Sequence, residues 1–125
     1  GINDPKMAHE KSVKNSTIIN KELEISNYNK ELYSILLSHR PELFRTYVEN
    51  NIDLVLTGHA HGGQIRIPSI GGIVAPNQGL FPKYTSGLFT ENNTNMIISR
   101  GIGNSIIPFR INNRPELVVI TLKTN

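Results

Sequence analysis

The chain has 125 residues, 38% of them hydrophobic and 18% charged, which bounds it to one small domain over 1–125 and excludes a disordered or membrane-embedded segment. It has no cysteine, and this excludes a disulfide framework, a thiolate zinc site and a cysteine nucleophile. Thirteen Lys and Arg against ten Asp and Glu, a formal +3, suit an anionic ligand, but no basic run with interleaved aromatics marks a nucleic acid as a dedicated partner, and no apolar run of ~20 residues predicts membrane contact by this segment.

Gly1 to Asn20 reads as polar and irregular, with a turn at Asp4-Pro5 and a solvated His9. From Lys21 to Leu37, the apolar positions Leu23, Ile25, Tyr28, Leu32, Ile35 and Leu36 predict a helix over Tyr28 to Ser34, capped by Ser26 or Asn27. A strand over Ile35 to Ser38 follows. Pro41-Glu42 opens a second helix, because proline suits the first helical turn and glutamate favours its positive end. That helix should bury Leu43, Phe44, Tyr47 and Val48 and end near Asn50-Asn51. Asp53 to Leu56 is then a strand parallel to the first, so Ile35 to Leu56 makes one right-handed βαβ unit.

Thr57-Gly58 ends that strand and delivers His59 and His61 into a loop that also holds Gly62 and Gly63. On extended backbone, rings at i and i+2 project from one face and reach the same place. A lone histidine is ordinarily a surface or core residue; a pair among three glycines after an apolar strand points to a metal, since neutral imidazole is a common ligand of divalent ions. His39 ends the earlier strand in the same way. Two parallel strands would set all three histidines at one sheet edge, where open α/β folds hold their sites.

Gln64-Ile-Arg-Ile67 alternates as a half-buried antiparallel strand does, and Pro68 terminates it. Residues 68 to 87 read as an ordered loop across the mouth of the site, with Leu80 and Phe81 as core in preference to substrate contacts. Gly87 to Thr90 and Asn95 to Ser99 predict a hairpin around Glu91-Asn-Asn-Thr94, and Leu117 to Leu122 a final strand. Ser99-Arg-Gly-Ile-Gly103 carries two readings: Arg100 and nearby backbone amides presented to a phosphate, or a tight turn with Arg100 paired to a carboxylate. Arg66, Arg110 and Arg114 are weaker candidates of the same kind.

Gly58-His-Ala-His61 followed by Gly62-Gly-Gln64, with Ser38-His-Arg-Pro41 upstream, resembles the C-terminal half of the calcineurin-like metallophosphoesterases. The nearest subgroup is the bacterial phosphodiesterases with a Gly-His-x-His-Gly-Gly-Gln motif. Gly1-Ile-Asn-Asp-Pro5, Lys83-Tyr84 with Gly87-Leu88, Ser99-Arg-Gly-Ile-Gly103, Pro108-Phe-Arg110 and Arg114-Pro-Glu116 extend the resemblance almost end to end, although Asn3 replaces one member of the acidic pair frequent before this proline. The implied fold is α/β with α+β character at the C-terminus, the C-terminal half of a four-layer αββα sandwich. The N-terminal half, with its Asp-x-His, Gly-Asp and Gly-Asn-His motifs, is absent from these residues, so the chain reads as a fragment.

The resemblance also implies a dinuclear centre of divalent ions, Mn, Fe, Zn or similar, ~3.5–4 Å apart. His39 and His59 would bind one ion and His61 the other, with the remaining ligands and a bridging carboxylate from the other half. The implied activity is hydrolysis of a phosphodiester or pyrophosphate, with no catalytic residue in this chain beyond the metal ligands. Arg100, Gly101, Gly62 and Gly63 would meet the substrate, and some relatives with the Gly-Gly-Gln extension act on lipid-linked nucleotide diphosphates. Implied partners are the phosphoester, the N-terminal half and a second copy through the exposed sheet; the implied compartment is cytoplasmic or membrane-associated through an N-terminal segment. The competing class is a catalytically inactive metal-binding or self-associating half-domain. A structural zinc site of these histidines alone is weaker, since structural zinc usually has four protein ligands.

Overall fold

Asn15–Ser26 forms the first helix, α1, in the computed structural model, which describes residues 15–103 and 108–123. Ile19 and Leu23, one turn apart, bury its inner side. The helix lies partly in the stretch expected to be irregular, and the helix expected over Tyr28 to Ser34 does not form. Asn27 is the reason: at φ 45 it ends α1 in the left-handed conformation, its N–H donating to Glu24 O at 3.1 Å, while Ser26 Oγ donates to Leu23 O at 2.7 Å. A short amide side chain serves at either end of a helix, and here it serves at the C-terminal one. Downstream, Asn29 Oδ1 accepts from Glu31 N at 2.9 Å, and Ser34 is tied to Asp53 Oδ2 by its N–H and hydroxyl at 2.7 and 2.8 Å. The turn expected at Asp4-Pro5 and His9 lie outside the described residues.

Strands β1, Ile35–Ser38, and β2, Leu54–Thr57, run parallel as expected, Ile35 opposite Leu54 through Ser38 opposite Thr57. Their crossover starts as a 3-10 turn, Pro41–Leu43, and continues as α2, Phe44–Glu49. Phe44, Tyr47 and Val48 are buried and Leu43 packs half-buried beside them. After β2 come a 3-10 turn, His61–Gly63, and two small antiparallel pairs: β3, Arg66–Ile67, with β4, Gly71–Gly72, and β5, Val74–Ala75, with β6, Gly79–Leu80. The strand expected from Gln64 is therefore two residues long. Leu80 and Phe81, expected in the core, are 71% and 63% exposed, because two-residue strands joined by a tight turn enclose no interior.

The expected hairpin is present as β7, Gly87–Glu91, and β8, Thr94–Ile98, and β8 pairs parallel with β2 to complete a sheet ordered β1-β2-β8-β7. One face carries the row Leu36, Val55, Met96 and Phe89, packed against Ile19 and Phe44; each fully buried side chain contributes about 1.5–3 kcal/mol. The opposite face carries Leu37, Leu56, Ile97 and Leu88, of which Leu37 and Leu88 are exposed. Leu117 to Leu122 makes no strand: it has no ladder partner among the described residues, and Leu117 and Val119 stand exposed. The described residues thus mix helices and strands in an α/β arrangement.

Candidate functional site

Parallel register brings three strand ends side by side, Ser38 beside Thr57 and Thr57 beside Ile98. The residues that follow, His39, Gly58-His59 and Ser99-Arg100, therefore leave from one edge of the sheet, the position where open α/β sheets hold ligands. Ser99 N donates to Thr57 O at 2.9 Å and extends the pairing one residue further. The rings of His39 and His59 meet there, with centroids 4.3 Å apart and planes tilted by 47°.

The backbone at His39 is held by its neighbours. Arg40, 1% exposed, pairs with Glu42 at 3.1 Å, and its N–H donates to Ser38 Oγ at 3.2 Å. Its carbonyl accepts the Tyr47 hydroxyl at 2.8 Å, and the Ser38 and Tyr47 hydroxyls lie 2.6 Å apart. A buried guanidinium is tolerable only when paired in this way, and the network ties the end of β1 to α2. Sequence reasoning assigned Arg40 no role, since an arginine two residues before a glutamate has the same pattern on a surface.

The chain after β2 is not extended. His59 has φ 65, Ala60 is right-handed, and His61, Gly62, Gly63 and Gln64 have φ of 46, 65, 79 and 57. Hydrogen bonds from Ala60 N to Gly58 O and from Gly63 N to Ala60 O, both 2.8 Å, close this tight turn. The two histidines therefore do not project as strand neighbours: His59 meets His39, and among the described residues no three His, Cys, Asp or Glu side chains gather as an ion-holding group. His61 Nδ1 is buried without a hydrogen-bond partner among the described residues. A buried imidazole nitrogen that no protein group satisfies fits a metal ligand, and a nitrogen donor set suits Mn, Fe or Zn alike.

The glycines of the loop are packed against the protein itself. A Cβ on Gly72 would lie 2.7 Å from Gly63 Cα, and one on Gly62 would overlap Asn113 Oδ1 and lie 2.9 Å from Arg100 Cγ. The Gly63 amide is bonded to Ala60 O and the Gly101 amide to Ser99 Oγ at 3.0 Å, so both already have acceptors.

Arg100 pairs with Glu116, Nη2 to Oε1 at 3.0 Å and backbone N–H to Oε2 at 3.1 Å; of its two readings, the turn with a carboxylate partner is the geometry present. The side-chain bond from Arg100, then its backbone N–H, holds the Glu116 carboxyl below the usual carboxylate range. Arg66 Nη1 donates to Gly62 O at 2.9 Å, Arg110 Nη2 donates to the carbonyls of Arg100 and Gly103, and Arg114 is exposed.

Asn113 escaped the sequence reading altogether. Its Nδ2 donates to His61 O at 2.7 Å and to Gln64 O at 3.1 Å, yet Asn112-Asn113 has only the composition of a turn. Two cavities lie away from the histidines: one of ≈ 300 Å³ lined by Leu23, Tyr28, Leu32, Tyr33 and Leu36, and one of ≈ 400 Å³ lined by Arg66, Ile67, Ile70 and Asn112.

The chain is similar to several bacterial proteins. The uncharacterized metallophosphoesterase YkuE of Bacillus subtilis is 37% identical over 100 residues, 80% of this chain and 34% of that protein. The phosphodiesterase YaeI of Escherichia coli is 34% identical over 88 residues, 70% of this chain and 32% of its own length. An uncharacterized metallophosphoesterase of Aquifex aeolicus is 29% identical over 109 residues, covering 85% and 39%. The chain thus spans about a third of the length of the curated relatives it matches. No protein-family model and no solved structure matches it.

Proposed function

Since the chain is related to the metallophosphoesterases and fits their calcineurin-like family, we propose that it is the histidine-bearing part of a metal-dependent phosphoester hydrolase. One observation carries this reading: the registered ends of β1, β2 and β8 set His39, His59 and Arg100 on one edge, with the two imidazoles in contact. In this reading the chain is the C-terminal portion of a four-layer αββα sandwich with a dinuclear centre. His39 and His59 hold one divalent ion and His61 the other, while acidic ligands come from sequence outside these residues.

Bound ions supply charge neutralisation at the phosphoryl oxygens and a hydroxide nucleophile at neutral pH. The chain's own part is to bind and orient. The imidazoles would fix the ions to the end of the sheet, while Arg100, paired with Glu116, holds the turn after β8 beside them. Gly62 and Gly63 let Asn113, Arg100 and the Gly72 backbone pack directly on the loop that carries His61. The substrate is a phosphodiester or pyrophosphate, and the name of the Escherichia coli relative, a phosphodiesterase, supports the first of these.

Hydrolysis of a bis-aryl phosphate with added Mn²⁺ tests the proposal. Removing a ligand that anchors several kcal/mol of charge stabilisation should cost about 100-fold or more in rate, so His59→Ala and His61→Ala should each abolish most turnover. Turnover equal to wild type in both variants would overturn it. A second reading, an inactive self-associating half-domain, rests on the apolar row Leu37, Leu56, Ile97 and Leu88, whose two ends, Leu37 and Leu88, are exposed. Turnover by a monomer in sedimentation would remove that reading.

A further inference from the structure

Four successive residues, His61 to Gln64, hold positive φ, and two of them are not glycine. Side chains in that region cost energy and persist only where the surroundings impose them. Three donors act on the middle of the turn: Arg66 Nη1 donates to Gly62 O at 2.9 Å, and Ile65 N and Ile73 N donate to Gly63 O at 2.7 and 3.2 Å. Asn113 acts on its two ends. One amide group, 2% exposed, donates to the carbonyl of His61, the first residue of the left-handed run, and to that of Gln64, the last. The carboxamide lies over Gly62 in the space a Cβ would need, and its Oδ1 has no partner among the described residues. Among the described residues, this buried side chain hydrogen-bonds to the turn that carries His61 and to nothing else. A buried amide that spends both bonds on two carbonyls specifies a local conformation, and here the conformation is the one that aims the His61 side chain.

We propose that Asn113 is a positioning residue for His61. It acts through the backbone, sets the direction in which the imidazole leaves the turn, and so presents His61 as a ligand. This rests on the metal-site reading given above. Outer groups that orient a ligand are worth about 10–100-fold in metal affinity.

Long-range ¹H–¹⁵N NMR of the imidazoles in the metal-free protein tests the role, with peaks assigned from single His39→Ala, His59→Ala and His61→Ala variants. Asn113→Asp keeps the shape and removes both donors; Asn113→Ser is read in the same way should the carboxylate prevent folding. The His61 resonances should shift while those of His39 stay, and Zn²⁺ should bind about 10–100-fold more weakly. The core variant Ile19→Val, which lowers stability away from the turn, should change neither. His61 resonances and Zn²⁺ affinity unchanged by Asn113 substitution would overturn the inference alone. Zn²⁺ that perturbs no imidazole of the wild-type protein would overturn the metal reading, and the positioning role with it.

Discussion

At Gly63, a φ of 79 and the contact with Gly72 leave no room for a Cβ. Gly63→Ala should cost about 2 kcal/mol or more, the sum of left-handed strain and overpacking, measured as a fall in the urea midpoint. An unchanged midpoint would show that the two backbones are not in contact. Glu116 gives a pH prediction. Arg100 lowers its folded-state pKa, so the ionised carboxylate adds stability above the unfolded value of about 4.3, and this is lost as pH falls through the lower folded value. Glu116→Gln should therefore lower stability at neutral pH and flatten its acid dependence below about pH 4.3, with thermal melts along a pH series as the readout; an unaltered acid slope would deny the pairing. At this scale the placing of His39, His59 and Arg100 after strand ends was legible because each follows an apolar run, whereas the expected convergence of His59 and His61 was not, since their turn takes positive φ. Asn113 and Arg40 left no local pattern. Their burial depends on partners in other elements, His61 for the one and Tyr47 for the other.

Among the elements, β1, α2, β2 and the β7–β8 hairpin were legible because each is an apolar run bounded by turn residues or proline. The first helix and the C-terminal segment were not. Helix α1 buries only Ile19 and Leu23, while Ile18 and the exposed Ile25 blur its apolar stripe, and the Asn27 that follows it imitates a cap for a helix that does not form. The segment after Glu116 has the apolar alternation of a strand, but pattern alone supplies no ladder partner. β8 joins the two halves of the sheet, and Met96 at its centre is fully buried between Val55 and Phe89. Met96→Ala should destabilise by about 2–5 kcal/mol in denaturant unfolding. Leu88→Ala, on the exposed side of β7, should stay within about 0.5 kcal/mol. Equal effects would mean the two faces are not distinguished as described.

At the scale of the whole fold, the decisive feature is a sheet apolar on both faces, of which, among the described residues, one is covered and the other leaves Leu37 and Leu88 exposed. An antiparallel sheet with one wet face alternates apolar and polar residues, whereas sheets of parallel strands are covered on both sides. The exposed Leu37 and Leu88 on the second face are the apolar side chains on which the proposed self-association would act. For the 125-residue chain alone, Leu37→Lys combined with Leu88→Lys should reduce self-association in sedimentation equilibrium. A chain equally associated with and without the two lysines would place the contact elsewhere.

Bound metal per chain is the measurement that decides whether His39, His59 and His61 act as the proposed ligands. The protein is purified without chelator, and its metal content is compared with that of a His59→Ala, His61→Ala double variant. Stoichiometric metal in the wild type and its loss in the variant are the expected result. Equal metal content in the two, or none in the wild type, would contradict it.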